Sequence, residues 1–192
     1  MPANQLKAGD VLGFSGRSWE SAFINVVTGG LPLWSLSHVG IVAPGPKSKL
    51  LVYESTDDNS CPCEITGKRT VGVQAHSIES VVRRYHGRVW RYPLYRSLYP
   101  YESCRLNKSL SSVIGRPYDW DGAKRTGGFI WSRITPLFWE EDFKQFFCSE
   151  LVAANLAHVG IWPTSNASRW NPNHLVRELR RSGVIHKPVR LK

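Results

Sequence analysis

At 192 residues, 42% of them hydrophobic, the chain is long enough to bury one sizeable core and short for two. No stretch approaches the roughly 18 apolar residues of a membrane span, and residues 1–10 lack a basic segment followed by an apolar run. Neither a transmembrane segment nor a signal peptide is expected, which predicts a cytoplasmic protein unless a non-secretory route exports it. A net charge of +10 suits an anionic polymer, whether nucleic acid, acidic lipid or cell-wall glycan. The basic residues are scattered rather than striped with aromatics, so no specific nucleic-acid partner is expected.

Residues 7–14 read as a turn entering a short strand. Residues 17–27 carry helix-spaced apolar side chains (Trp19, Phe23, Ile24, Val27), stopped by Thr28-Gly29-Gly30. Two β-rich runs, 37–43 and 50–55, flank turn chemistry at 44–49 and predict a hairpin. A register centred on Pro46 sets His38 directly opposite Glu54, on one face of the pair. A carboxylate beside an imidazole fixes its tautomer and raises its basicity, as in a catalytic triad. The same contact also serves as an ordinary structural hydrogen bond.

Residues 57–70 are polar and Gly- and Pro-containing, hence a loop. A strand is expected at 71–73, a short helix at 77–85 with Ser77 near its N-cap, and another strand at 88–92. An aromatic linker at 95–101 leads to a helix at 102–114 that ends at Gly115. Residues 123–146, with Phe129, Trp131, Phe138, Trp139 and Phe143, form an aromatic insertion. A helix follows over 148–159, with Gly160 at its left-handed C′ position and Pro163 just beyond. Asn171 caps and Pro172 opens a basic helix reaching Arg181, and 184–191 can make a last strand.

Cys148 therefore falls in the first turn of a helix, where the dipole and the free backbone N–H groups favour thiolate over thiol. Such a cysteine is either a nucleophile or a small buried hydrophobe, and a base elsewhere must decide. The His38–Glu54 pair is the candidate. A base is needed to take the thiol proton and later give one to a leaving amine, and helix-end amides can stabilise an oxyanion.

The other cysteines point elsewhere. Cys61-Pro62-Cys63 is too tight for a zinc knuckle, and no second cysteine pair or spaced histidine pair completes it. No metal site and no cofactor are expected, and Cys61, Cys63 and Cys104 read as free thiols of a reducing compartment. His76, His86, His158, His174 and His186 are assigned no catalytic role.

Two segments together carry a family resemblance. Gly115-x-Pro117-Tyr118-x-Trp120-x-Gly122, followed by Phe147-Cys148-Ser149-x-Leu151-Val152, resembles the NlpC-type papain-like cell-wall amidases and peptidases. Here Ser37-His38-Val39-Gly40-Ile41 precedes the cysteine helix, an order similar to the circularly permuted YaeF/YiiX-like branch. The resemblance implies a single α+β papain-like domain over 1–192, with an antiparallel sheet packed against the cysteine helix. It implies Cys148 as nucleophile, His38 as base, Glu54 orienting His38, and Tyr118 near the oxyanion. The insertion at 123–146 departs from the family. Lipid-acyltransferase relatives carry an asparagine before the cysteine and a histidine two after it, where this chain has Phe147 and Glu150.

The expected activity is hydrolysis of an amide bond through an acyl-enzyme, on a peptidoglycan stem peptide or small peptide. Such an enzyme would act on wall fragments in the cytoplasm, or reach the wall in a phage particle or secretion assembly. The alternatives are a thioesterase or lipid acyl hydrolase with the same triad, and a structural virion component that keeps the fold without the activity. The geometric expectation is that Cys148 and His38, 110 positions apart, meet at a solvent-open cleft.

Overall fold

The structure, a computed structural model, describes residues 6–16, 36–118, 147–163 and 166–192. The helix expected at 17–27 and the insertion at 123–146 lie outside them. Among the described residues six strands, β1 (Val11–Gly16), β2 (His38–Pro44), β3 (Leu50–Thr56), β4 (Gly72–Ser77), β5 (Gly87–Tyr92) and β6 (Val189–Arg190), form one sheet in the order β4-β3-β2-β1-β5-β6. Every neighbouring pair is antiparallel. The described helices are α1 (Ile78–Arg84), α2 (Pro100–Val113), α3 (Cys148–His158) and α4 (Pro172–Arg181).

Alternation along the strands separates two cores. Val39, Ile41 and Ala43 of β2, with Leu51 and Tyr53 of β3, pack under Leu106 and Leu110 of α2, Leu151 and Leu156 of α3, and Leu175 and Leu179 of α4. On the opposite face Leu12, Phe14, Val42, Val52 and Val89 pack against Ile78 and Val81 of α1. The central strands are thus covered on both sides, which is why 39–43 and 51–53 read as nearly unbroken apolar runs rather than alternating ones.

The helix boundaries follow their capping residues. Ser77 Oγ accepts from the Ser80 amide at the start of α1, and Asn171 Oδ1 accepts from the His174 amide at the start of α4, at 2.8 Å. Helix α2 begins two residues earlier than its apolar spacing suggests. Pro100 supplies the first helical position, and Glu102 takes the Tyr99 amide at 2.8 Å. The last strand is shorter than expected, with only Val189 and Arg190 pairing with β5 and an isolated bridge joining Leu94 to Ile185.

The β2–β3 hairpin forms, but its register is not the one centred on Pro46. The turn is a three-residue loop, Pro46–Ser48, closed by a 2.7 Å hydrogen bond from the Gly45 amide to the Lys49 carbonyl. Lys47 and Ser48 both adopt left-handed φ, at 56° and 59°. The centre of the hairpin is therefore Lys47. The ladder runs Pro44↔Leu50 to Ile41↔Tyr53, so the next position in register puts Gly40, not His38, opposite Glu54. A shift of two keeps the face, and His38 and Glu54 remain on the same side of the sheet.

Asp10, just before β1, ties the strand ends together. Its carboxylate accepts from Arg91 Nε at 2.7 Å, the Lys7 amide at 2.9 Å and the Leu94 amide at 3.2 Å, while its carbonyl accepts from the Val42 amide. This buried knot joins the start of β1 to β2 and to the end of β5.

Candidate active site

His38 is the first residue of β2 and Cys148 the first residue of α3, so imidazole and thiol stand at the starts of their elements. The start of α3 is fixed from three sides. Glu150 Oε2 accepts from the Phe147 amide at 3.3 Å, and Ser168 Oγ donates to the other oxygen of the same carboxylate. Ser149 Oγ donates to the Trp170 carbonyl. These bonds dock the first turn onto the 167–170 segment, so the thiol is carried by an anchored turn rather than a frayed helix end.

His38 lies between two partners. Its Nε2 is 2.8 Å from Glu54 Oε2, and its ring tilts against Phe14 with centroids 5.3 Å apart. With Nε2 committed to Glu54, Nδ1 is the nitrogen that remains for the thiol. Burial alone would lower the His38 pKa. The charge and hydrogen bond of Cys148, and then those of Glu54, outweigh it and raise the imidazole to about 10. Glu54 shows the opposite balance. Burial would raise its pKa, but hydrogen bonds from His38 and His76, and then the charge of the His38 ring, bring it down to about 2.

The diagonal reach of Glu54 depends on Gly40. A Cβ there would come within 2.8 Å of Val52 Cγ1, 3.1 Å of the Tyr53 carbonyl oxygen and 3.5 Å of Glu54 Cβ. The glycine leaves the space through which the carboxylate leans two positions along β2 to the imidazole.

Tyr118 also comes to this end of the molecule, its ring edge-on to Phe147 with centroids 6.2 Å apart. Cys148 is 1% exposed, whereas the His38 side chain is 19% exposed. A cleft of about 310 Å³ opens on the α1 side of the sheet, where Glu54, Asp58, Arg84 and Tyr85 line it. The carboxylate end of the constellation, not the thiol end, borders this cleft.

The sequence reading passed over one residue of the cluster. His76 Nδ1 lies 3.2 Å from Glu54 Oε1, so both carboxylate oxygens carry an imidazole. In the β3–β4 register His76 stands opposite Val52 and Gln74 opposite Glu54, again a diagonal contact. The loop between these strands spans fifteen residues, from 57 to 71, and holds no short turn that would fix the register. Alternation along 72–77 was the available signal, since it puts His76 and Gln74 on one face.

No family model matches this chain, and no curated protein matches it in sequence. Among solved structures it is similar to the metalloprotein YiiX from Escherichia coli O157:H7, with a TM-score of 0.55 and 16% identity over 96% of this chain and 88% of that one. Among the described residues here, no group of three or more His, Cys, Asp or Glu side chains is disposed to hold a metal ion. At that identity the likeness establishes architecture: the chain has an α+β fold of the YiiX-like, papain-like kind.

Proposed function

We propose that this chain is a cysteine hydrolase that cleaves an amide bond through an acyl-enzyme on Cys148. The observation that carries the reading is the His38 imidazole paired at 2.8 Å with a buried carboxylate, its pKa raised by the helix-start Cys148. In this reading the proton resides on His38 and the sulfur is a thiolate. The sulfur attacks the carbonyl carbon, and the oxyanion is met by first-turn amides of α3, with Tyr118 beside them. As the C–N bond breaks, His38 passes its Nδ1 proton to the leaving amine. His38 then takes a proton from water, the hydroxide attacks the thioester, and the acid leaves with Cys148 regenerated. Glu54 stabilises the imidazolium and fixes the ring.

The substrate we assign is a peptidoglycan stem peptide or similar small peptide, encountered in the cytoplasm or at a wall reached with a phage particle or secretion assembly. The net charge of +10 favours association with an anionic wall polymer. The test is a hydrolysis panel of wall peptides, acyl esters and acyl thioesters with the native protein, Cys148→Ala and His38→Ala, with intact mass to trap an acyl adduct. Cleavage of a wall peptide, lost in both variants, is the expected result. Turnover of esters or thioesters alone would move the chain to an acyl hydrolase, and no turnover with no acylated Cys148 would leave a scaffold.

A further inference from the structure

We infer that His76 is a fourth, positioning member of this site, donating its Nδ1–H to Glu54 so that the carboxylate is pinned with one oxygen turned to His38. The inference rests on the triad reading above and deepens it. Three side chains on three adjacent strands make a chain of contacts: His38 of β2, Glu54 of β3 and His76 of β4. The terminal torsion of a glutamate is broad and roughly two-fold, so a single hydrogen bond holds its oxygens loosely. A second donor on Oε1 removes that freedom.

The burial of His76 fixes which nitrogen carries the proton. The residue is 4% exposed, and its Nε2 has no hydrogen-bond partner among the described residues. A proton on Nε2 would bury an unsatisfied N–H and point a bare Nδ1 lone pair at a carboxylate oxygen. A proton on Nδ1 satisfies Oε1 and leaves only an unfilled lone pair, the lesser cost. The same tautomer is what a positioning residue needs. The ring is buried on β4, beside Val52 in the register, which limits how far it can follow the carboxylate if Glu54 swings.

Two measurements on the full chain decide the matter. Long-range ¹⁵N–¹H correlation on the native protein is expected to show His76 with Nδ1 protonated and Nε2 bare, and a proton on Nε2 would overturn the inference. The second measurement is the rate of Cys148 alkylation by iodoacetamide in His76→Leu and His76→Asn, whose amide nitrogen can occupy the place of Nδ1. Loss of the donor should slow labelling about tenfold in His76→Leu, the scale of one hydrogen bond to a charged group, and His76→Asn should recover most of it. Equal slowing in both variants would reduce His76 to packing, and native-like labelling in His76→Leu would remove it from the site. If His76→Leu does not fold, the tautomer measurement still decides. If native Cys148 labels no faster than exposed Cys104, the hydrolase reading falls while the tautomer result stands on its own.

Discussion

Glu54 holds His38 along the diagonal of the β2–β3 ladder, with Oε2 2.8 Å from Nε2, across a position occupied by Gly40. The contact needs the missing side chain as much as it needs the two that meet. Gly40→Ala should therefore disturb the site more than its small volume suggests, because Val52 Cγ1 would lie 2.8 Å from the new Cβ. The expected cost is about 1–3 kcal/mol, the usual range for overpacking a filled core. Urea denaturation measures it, and Cys148 alkylation should slow in the variant even where it is fully folded.

The thiol itself gives a direct readout. At neutral pH iodoacetamide should label Cys148 far faster than Cys61, Cys63 or Cys104, despite its burial. His38→Ala should slow that labelling about tenfold or more, since the variant has lost the group that holds the proton. Equal rates at all four thiols of the native protein would contradict an activated cysteine.

Stability should carry the signature of the pair. His38 is raised from 6.5 to about 10, so its contribution is full below pH 6.5 and lost as pH rises through 10. Glu54 is lowered from 4.5 to about 2, so its contribution is full above pH 4.5 and lost as pH falls through 2. Both act together between pH 4.5 and 6.5. The Tm difference between the native protein and a His38→Phe/Glu54→Leu double variant, which leaves no lone buried charge from the pair, should be most favourable to the native protein in that window. It should shift against the native protein toward either extreme, and a difference flat with pH would mean the two groups do not titrate as a folded-state pair.

Asp10 predicts a structural effect separable from the chemistry. Asp10→Ala leaves Arg91 without its 2.7 Å partner, with the Arg91 side chain only 11% exposed, and strands the Lys7 and Leu94 amides. Breaking such a pair should cost about 3–5 kcal/mol in urea denaturation. A loss under 1 kcal/mol would mean water replaces the carboxylate.

Much of this arrangement was legible in the sequence where the signal is local. The caps at Ser77 and Asn171, the glycines that end α2 and α3, and the β-branched runs of β2 and β3 each state their own conformation. The face shared by His38 and Glu54 was legible too, because alternation fixes parity. Register was not, because one residue in the turn decides it, and Pro46 looked like the centre of a loop that closes around Lys47. His76 was hidden for the same reason at larger scale. Its partner strand lies beyond a long loop, so only the assembled sheet brings the ring to Glu54. The burial of the Cys148 sulfur depends on packing from distant segments, which no local pattern carries.

His38 and Cys148 sit 110 residues apart, with the hairpin that holds His38 and Glu54 complete long before α3 is made. At 5–20 residues per second of synthesis, that interval is on the order of 5–20 s. During it the nascent chain gains both strands of the hairpin while the helix-start thiol is still to be made. The strand ladder can form first, and the cysteine helix must then dock onto a waiting partner. A ribosome-bound fragment ending before residue 148 therefore holds the His38–Glu54 pair without the helix-start thiol, which is made only after strands β1 to β5.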